Sequence, residues 1–257
     1  MSLTLGRVAC ILTKLDSLNK NKTYFNWSSG KDSALALYHL LQDENYQVDA
    51  LITTVNSHYN RVSMHGLRKE LLIAQTNSLN IPASLIELPE MPSMEVYEQK
   101  ILETITSLKD AGFSHSAFGD IFLEDLRAYR ETQLAKQNIK ALFPIWKRNT
   151  KMLLQEFLDL GFKTIIVCAN SKYFGEEFVG TIIDKNFINN LPVGVDPCGE
   201  NGEFHTFCFD GPIFKNPIPF TIGEKVYREY DTPKTDDDSV CKGGSEKYGV
   251  WYCDLVP

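Results

Sequence analysis

The sequence predicts an α/β fold in which a doubly wound parallel sheet is followed by a smaller C-terminal α+β part. Short apolar runs alternate with amphipathic helical stretches from residue 22 onward, and this alternation is typical of right-handed βαβ units. After about residue 190 the pattern changes to loops and β-like segments. We therefore predict two domains, a main one over residues 1–146 and a smaller one over residues 147–257.

The individual elements follow from periodicity and composition. Met94, Tyr97, Ile101, Ile105 and Leu108 recur at steps of three and four, which predicts a helix that stops at Gly112. The segment 232–247 has almost no apolar content and is predicted to be a mobile loop. Six short runs rich in Val, Ile, Phe and Thr are predicted as strands: KTYFNW (22–27), VDALITTVN (48–56), ASLIEL (83–88), HSAFGDI (115–121), ALFPIW (141–146) and TIIVCA (164–169).

Charge and cysteine content narrow the function classes. A net charge of −7 disfavours an extended contact with a phosphodiester backbone and argues against a nucleic-acid partner. No apolar run approaches the roughly 18 residues of a membrane span, and we expect a cytoplasmic protein that binds no membrane. The six cysteines form no C-x-x-C pair, which argues against a zinc or cluster site and favours reduced thiols.

The stretch Ser28-Ser29-Gly30-Lys31-Asp32-Ser33 lies between the first predicted strand and a helix. Such a turn presents unpaired N–H groups at the positive end of the helix dipole, where anions bind. The glycine permits close approach of the backbone, the serines supply donors and Lys31 supplies charge, so the stretch is suited to a phosphate group. Asp32 would suit a Mg²⁺ ion beside that phosphate. The alternative is a polar helix cap. We call residues 28–33 the phosphate loop.

The phosphate loop resembles the S-G-G-K-D-S loop of the N-type ATP pyrophosphatases, which cleave ATP between its α and β phosphates. The resemblance is closest to the diphthine–ammonia ligase family and covers about residues 22–220 in order. Its motifs are Ser63-Met64-His65, Phe118-Gly119-Asp120-Ile121, Pro144-Ile145-Trp146, Gly199-Glu200-Asn201-Gly202-Glu203-Phe204-His205-Thr206 and Asp210-Gly211-Pro212.

The resemblance implies a Rossmann-like sheet of the adenine nucleotide alpha hydrolase type, with nucleotide binding in residues 1–146 and substrate binding in residues 147–257. Two positions depart from the family pattern. Ser29 stands where the family has its first glycine, so a left-handed backbone there would be strained. The helix around Arg130 reads RAYRETQ (127–133) rather than R-V-E-x-V-C.

Further candidate site residues lie outside the phosphate loop. Gly119 and Asp120 end a predicted strand, so Asp120 should lie at the carboxyl edge of the sheet near a nucleotide; the alternative is an N-cap for the next helix. His65, at a helix start, is a second candidate nucleotide contact or a cap. Arg130 is a candidate contact to a phosphate or a substrate carboxylate, although the surrounding Glu124, Arg127 and Glu131 favour an exposed ion-pair ladder.

The segment GENGEFHT, residues 199–206, concentrates polar side chains around a turn, and we call it the acidic loop. Glu200, Asn201, Glu203 and Thr206 are candidates for substrate binding, and Glu203 with His205 for catalysis. Two carboxylates and an amide could hold ammonium and accept a proton as nitrogen attacks. The alternative is a polar hairpin, because Asn-Gly is itself a strong turn signal.

The resemblance implies an ATP-dependent amide ligase that adenylates a carboxylate, releases pyrophosphate and transfers ammonia. Lys31 and Asp32 would act with Glu203 and His205, using ATP and a Mg²⁺ held by Asp32. Its partners would be a small or protein-borne carboxylate acceptor and ammonia. The sequence also allows a homo-oligomer. The acceptor could be diphthine or a cobalamin-pathway acid. A tRNA-sulfurating adenylating enzyme and a non-catalytic ATP sensor are the alternatives.

Overall fold

A computed structural model describes residues 20–63, 65–231 and 247–257. The helices are α1 (Lys31–Gln42), α2 (Lys69–Leu79), α3 (Met94–Asp110), α4 (Glu124–Ala135) and α5 (Thr150–Asp159), with a 3₁₀ turn at Phe187–Asn190. None of the helices in the described ranges has the length and apolar character to cross a membrane. The predicted mobile loop falls outside the described residues except at Lys247, which begins a strand.

The first sheet contains five parallel strands in the order β4–β2–β1–β5–β6, and the short β3 pairs antiparallel with the end of β2. In chain order these strands are β1 (Asn21–Asn26), β2 (Tyr46–Asn56), β3 (Arg61–Val62), β4 (Ala83–Leu88), β5 (His115–Ala117) and β6 (Lys140–Leu142). Phe25 of β1 pairs with Leu51 on one side and Ala117 on the other. The strand order therefore reverses at β1 and β5, and open α/β sheets bind ligands at such a switch point.

Side chains alternate between the two faces of the parallel sheet. Phe25 and Leu51 lie in a core shared with α1 and α2. Tyr24 and Ala50, their neighbours in sequence, lie in a second core with Ile105 of α3 and residues near α4. Because successive strand residues point to opposite faces, helices cover both sides, and the predicted doubly wound sheet is confirmed.

The second sheet is antiparallel, in the order β8–β7–β10–β9. Its strands are β7 (Lys163–Asn170), β8 (Phe204–Asp210), β9 (Thr221–Asp231) and β10 (Lys247–Val256). The run TIIVCA was predicted as a strand within residues 147–257, and it is part of β7, which pairs antiparallel with β8 and β10. With α5 the second sheet confirms an α+β part at the C-terminal end.

The two sheets share one core. Ile165 of β7 and Phe207 of β8 belong to the same buried cluster as Leu35 of α1 and Phe25 of β1. The layer formed by α1 and α2 is thus covered by the parallel sheet on one side and by the antiparallel sheet on the other. A boundary between separate domains at residue 146 stays a prediction.

Candidate active site

A cavity of about 760 Å³ opens at the switch point of the parallel sheet. Its walls come from the phosphate loop, the carboxyl end of β2, the turn after β5, helices α3 and α4, and the acidic loop that leads into β8. The lining residues are 26–28, 30–33, 52–54, 62, 63, 65, 86, 97, 101, 118–120, 123, 126, 130, 198–202 and 204–206. The two loops that the sequence marked separately, more than 160 residues apart, therefore meet on one cavity.

The phosphate loop connects β1 to α1. Gly30 occupies the N-cap of α1 and makes no side-chain cap, so the loop is not a simple helix cap of the Ser or Asp type. Instead the N–H of Lys31 donates to Thr206 Oγ1 at 3.0 Å, a contact that crosses from the second sheet. A Cβ on Gly30 would lie 3.0 Å from His65 and 3.2 Å from the Thr206 carbonyl. A side chain at position 30 would therefore fit only if His65 or the Thr206 backbone moved by a few tenths of an ångström.

Ser29 has a φ of 73°, which is the left-handed region. Its side chain is buried and its Oγ has no hydrogen-bond partner in the described structure, and it does not line the cavity. Its carbonyl accepts hydrogen bonds from the N–H of Cys208 at 2.9 Å and from Gln75 Nε2 at 3.0 Å. The strained backbone expected from the sequence is present, and two donors hold it.

Lys31 is buried, with 3% of its side chain exposed. Its ammonium donates to Asp32 Oδ2 at 2.7 Å and to the carbonyl of Cys198. Burial lowers the pKa of Lys31, but the neighbouring carboxylates, Asp32 first, more than offset it, and the pKa is raised. Lys31 is therefore charged at neutral pH and joins the phosphate loop to the segment before the acidic loop.

Asp120 lines the cavity beside the phosphate loop. Arg130 Nη2 donates to Asp120 Oδ1 at 3.2 Å, and its guanidinium lies 4.2 Å from the ring centre of Phe118. The pKa of Asp120 is raised by burial, with Asp32 adding to the rise and Arg130 opposing it. Leu123, not Asp120, is the N-cap of α4, so the capping alternative was wrong.

Gly119 lets the end of β5 approach α1 closely. A Cβ at this position would lie 2.9 Å from the backbone nitrogen of Ser33. Real Cβ atoms essentially never come so near to backbone, so a side chain here would separate the first turn of α1 from the turn after β5. The glycine keeps Asp120 and Asp32 on the same cavity wall.

Glu200 joins the acidic loop to the first sheet. Its Oε1 accepts a hydrogen bond from the N–H of Ile121 at 2.7 Å, just beyond Asp120. Burial raises the pKa of Glu200 to about 7, and the charge of Asp32 adds to the rise while the bond from Ile121 opposes it. Glu200 lines the cavity. It is thus a carboxyl group that changes protonation near neutral pH.

Glu203 is placed differently from the other predicted site residues. Only 2% of it is exposed and it does not line the cavity. Its carboxylate accepts from the N–H groups of Asp196 at 3.0 Å and Asn201 at 2.9 Å, and from Asn201 Nδ2 at 3.1 Å. The structure does not bring Glu203 to the cavity; it places this side chain inside the acidic loop, where it fixes the turn.

His65 and His205 form a stacked pair above Gly30. Their ring centres are 4.7 Å apart with an angle of 24° between the planes. Burial lowers the pKa of His65 to about 3, with the charges of His205 and Lys31 adding to it, and lowers the pKa of His205 to about 4. Both rings are neutral at pH 7. His65 Nδ1 lies 3.2 Å from the Thr206 carbonyl, which assigns the proton to Nδ1 and leaves Nε2 as an acceptor.

The apolar part of the cavity was missed at the sequence level. Ile52 and Ile86 line it from β2 and β4, and Tyr97, Ile101 and Leu126 line it from α3 and α4. The spacing of Tyr97 and Ile101 predicted a core face of the helix, and they do border a core cluster. The sequence did contain a signal for Ile52 and Ile86, because parallel strands β2 and β4 must end at the same edge of the sheet as β1.

Comparisons with known proteins add independent findings. A family model for the diphthamide synthase N-terminal domain matches residues 21–140, and a model for the C-terminal domain matches residues 149–233. A diphthine–ammonia ligase from Mus musculus is 26% identical over 234 residues, which cover 79% of this chain and 84% of that protein. One from Bos taurus is 31% identical over 115 residues, covering 42% of this chain and 43% of its own length.

Among solved structures, a U34-tRNA thiolase from Methanococcus maripaludis, determined with its [4Fe-4S] cluster, aligns with this chain at 16% identity. The alignment covers 60% of this chain and 66% of that one, with a TM-score of 0.36.

Proposed function

Because the chain belongs to the diphthamide synthase family, we propose that it is an ATP-dependent ligase that joins ammonia to a carboxylate with release of AMP and pyrophosphate. The observation that carries this proposal is the meeting of the phosphate loop and the acidic loop on one cavity at the switch point. A nucleotide and a second substrate could bind side by side in this cavity. The curated relatives named diphthine–ammonia ligase support ammonia transfer to a protein-borne acceptor.

ATP is proposed to bind along the cavity with its phosphates at the phosphate loop. The N-terminus of α1 and the Lys31 ammonium provide positive charge at that end. The same cavity also has an apolar part, lined by Ile52, Ile86 and Tyr97, which we call its apolar end. An adenine ring suits this apolar end, because ligand pockets combine apolar walls with a few fixed polar groups.

The residues present fit a Mg²⁺ ion that is shared with the phosphates. Asp32 is 28% exposed at the cavity, and the buried Asp120 Oδ2 lies 3.1 Å from Arg130 Nε in an ion pair but accepts no hydrogen bond in the described structure. Mg²⁺ is usually held by one or two carboxylates plus phosphate oxygens. The described residues contain no group of three or more His, Cys, Asp or Glu side chains placed to hold a metal ion. When bound, the ion would neutralise phosphate charge.

In the first proposed step, an oxygen of the acceptor carboxylate attacks the α-phosphorus of ATP. The bond from that phosphorus to the bridging oxygen breaks, and the electron pair leaves with pyrophosphate. Lys31 would stabilise the leaving group, and fixed charges aimed at developing charge can each contribute a few kcal/mol. To do so, its ammonium must exchange the Cys198 carbonyl for a phosphate oxygen.

In the second step, ammonia attacks the acyl carbon, the carbon–oxygen bond to AMP breaks, and the nitrogen loses a proton. We propose Glu200 as the proton acceptor, because its carboxyl lines the cavity and its pKa of about 7 matches the task. Asn201 and His205 also line the cavity. Glu203 is proposed to shape the loop rather than touch the substrate.

The acyl adenylate must be protected from water. We propose that residues 191–203, which lie before β8 and carry most of the acidic loop, close over it, while β8 stays in the second sheet. The link from Lys31 to the Cys198 carbonyl supports this, since it joins the phosphate loop directly to the segment that would move.

The test is to incubate the purified protein with ATP, ammonium and a panel of carboxylic acceptors that includes diphthine-bearing protein and cobalamin-pathway acids. The expected products are AMP, pyrophosphate and the amide of one acceptor. Formation of ADP and phosphate would overturn the proposal. A sulfurated tRNA would favour the sulfur-transfer alternative, and tight ATP binding without turnover on any acceptor would favour the sensor.

A further inference from the structure

We propose that Gln75, a residue outside the cavity, is a positioning residue that holds the phosphate loop in its left-handed conformation. The proposal rests on the assignment of that loop to ATP. Gln75 lies in α2 and is fully buried. It does not line the cavity, so any effect on ATP must pass through the groups that its amide contacts.

The amide of Gln75 binds three separate parts of the chain. Its Oε1 accepts from Trp27 Nε1 at 2.9 Å, where β1 has just ended. Its Nε2 donates to the Ser29 carbonyl at 3.0 Å and to the Cys208 carbonyl of β8 at 2.5 Å. Both N–H groups and the oxygen are therefore used. A buried amide is costly unless it is paired in this way.

Ser29 is the point at which the loop needs to be held. Non-glycine residues rarely adopt φ near 73°, because the Cβ crowds the backbone. Nothing in the side chain of Ser29 compensates, since its Oγ has no hydrogen-bond partner in the described structure. The two hydrogen bonds to its carbonyl, from Gln75 and from Cys208 N, are what fix the peptide.

The orientation of this peptide sets the donors that follow. With the Ser29 carbonyl turned toward α2 and β8, Gly30 becomes the N-cap of α1 and the N–H of Lys31 reaches Thr206 Oγ1. If the peptide turned over, the first turn of α1 would no longer present this arrangement to the cavity. Gln75 thus affects ATP binding through Ser29. A glycine at position 29 would depend less on the hydrogen bond from Gln75, because glycine adopts the left-handed conformation without strain.

The experiment compares four proteins: wild type, Gln75→Met, Thr76→Val and the double variant Ser29→Gly with Gln75→Met. Gln75→Met keeps the side-chain length but removes the amide. Thr76 is the matched control, because it is buried in the same helix and its hydroxyl bonds only to the Ile73 carbonyl within α2. Both single variants should lower the melting temperature.

Binding of ATP with Mg²⁺, measured by calorimetry, should separate them. Gln75→Met is expected to bind about tenfold more weakly, the scale for a buried hydrogen-bonding group left unpaired, while Thr76→Val stays within about twofold of wild type. Adding Ser29→Gly should recover at least half of the lost affinity, expressed as log Kd. Equal ATP affinity in the two single variants, or no recovery in the double variant, would overturn the positioning role.

Hydrogen exchange in the absence of nucleotide makes the test independent of the proposed function. Gln75→Met should raise exchange of the amides in residues 28–33, Thr76→Val should not, and Ser29→Gly should reduce the rise. If wild type binds no ATP, the proposed function fails, yet this exchange pattern still decides whether Gln75 holds the loop. Unchanged exchange in Gln75→Met would overturn the inference even if ATP binds.

Discussion

The two loops that meet at the cavity are held in opposite ways. The phosphate loop is fixed from outside, by Gln75 and Cys208 at its start and by Thr206 at the helix N-terminus. The acidic loop depends more on its own segment, because Glu203 accepts hydrogen bonds from the N–H of Asn201 within it and from the N–H of Asp196 just before it, while Glu200 adds one bond to Ile121. The difference implies that a change in α2 or β8 disturbs the phosphate loop, whereas a change at Glu203 disturbs the acidic loop directly.

The largest expected effect comes from removing the charge of the phosphate loop. Lys31→Met should lower the rate of pyrophosphate release by about a hundredfold or more, the usual scale for losing one fixed group that stabilises developing charge. It should also weaken ATP binding in calorimetric titration. Lys163→Met is the control, because Lys163 forms an exposed pair with Asp210 away from the cavity. Equal turnover in the two variants would contradict a role for Lys31.

A smaller effect is expected when the internal support of the acidic loop is removed. Glu203→Gln replaces one accepting oxygen by a donor that faces a backbone N–H, so we expect a loss of about 2 kcal/mol in the free energy of unfolding. ATP affinity should change little, and amide formation should fall about tenfold, because a misplaced catalytic group reacts more slowly. Denaturant titration and single-turnover assays measure the two effects. A variant with weakened ATP binding and normal stability would show that Glu203 is not a loop support.

The role of Glu200 should be visible in the pH dependence of turnover rather than in the stability of the acidic loop. If its carboxylate accepts the proton from ammonia, turnover should rise with pH through about 7, its pKa in the folded protein. With the concentration of free ammonia held constant across the pH range, because its neutral fraction itself rises with pH, Glu200→Gln should lose this rise and be several-fold slower at pH 8, with ATP binding retained. A pH profile of the variant that is parallel to that of wild type would rule out Glu200 as the acceptor of this proton.

The raised pKa of Glu200 also determines how its contribution to protein stability changes with pH. Because the folded-state pKa of Glu200 lies above the ordinary value of 4.5, the folded protein binds more protons than the unfolded chain between pH 4.5 and about 7. Its contribution to stability therefore falls as pH rises through that range. The melting temperature of Glu200→Gln relative to wild type should rise over the same range. Referring the variant to wild type at each pH removes the opposite dependence expected from His65 and His205.

The smallest effect is expected outside both loops. Glu131 forms an exposed i,i+4 pair with Arg127 at 2.8 Å, next in sequence to Arg130. Such pairs contribute about 0.5 kcal/mol or less, so Glu131→Gln should leave the free energy of unfolding and the turnover nearly unchanged. A clear loss of turnover at unchanged stability would extend the site along α4.

Much of the phosphate loop could be predicted from sequence, because its position depends on local rules. A strand, a short polar turn and a helix start at residues 22–33 identify a sheet edge, and Asp120 follows from the same rule. The alternation of apolar residues could not assign β7 to its sheet, since a buried strand has the same appearance with parallel or antiparallel neighbours.

The division of labour in the acidic loop was beyond sequence reasoning. Glu200 and Glu203 are both carboxylates beside glycines in the sequence. Only the fold shows that Glu200 accepts a hydrogen bond from the Ile121 N–H and Glu203 one from the Asn201 N–H. Gln75 had no signal either, because it lies in the polar run Gln75-Thr76-Asn77-Ser78 of an ordinary helix. Its importance arises from three contacts that are distant in the chain.

The hydrogen bonds that β8 makes to the phosphate loop limit how this protein could be divided or recombined. Cys208 and Thr206 each satisfy a backbone group of that loop, at Ser29 and Lys31 respectively. A fragment ending at residue 146 would keep the whole nucleotide motif in its sequence, yet the Lys31 N–H would lose its partner and the Ser29 carbonyl would keep only the bond from Gln75. Grafting the first half onto an unrelated C-terminal part would have the same result. The two halves are therefore expected to have been inherited together, and exchange between relatives should succeed only when β8 is transferred with the loop that it supports.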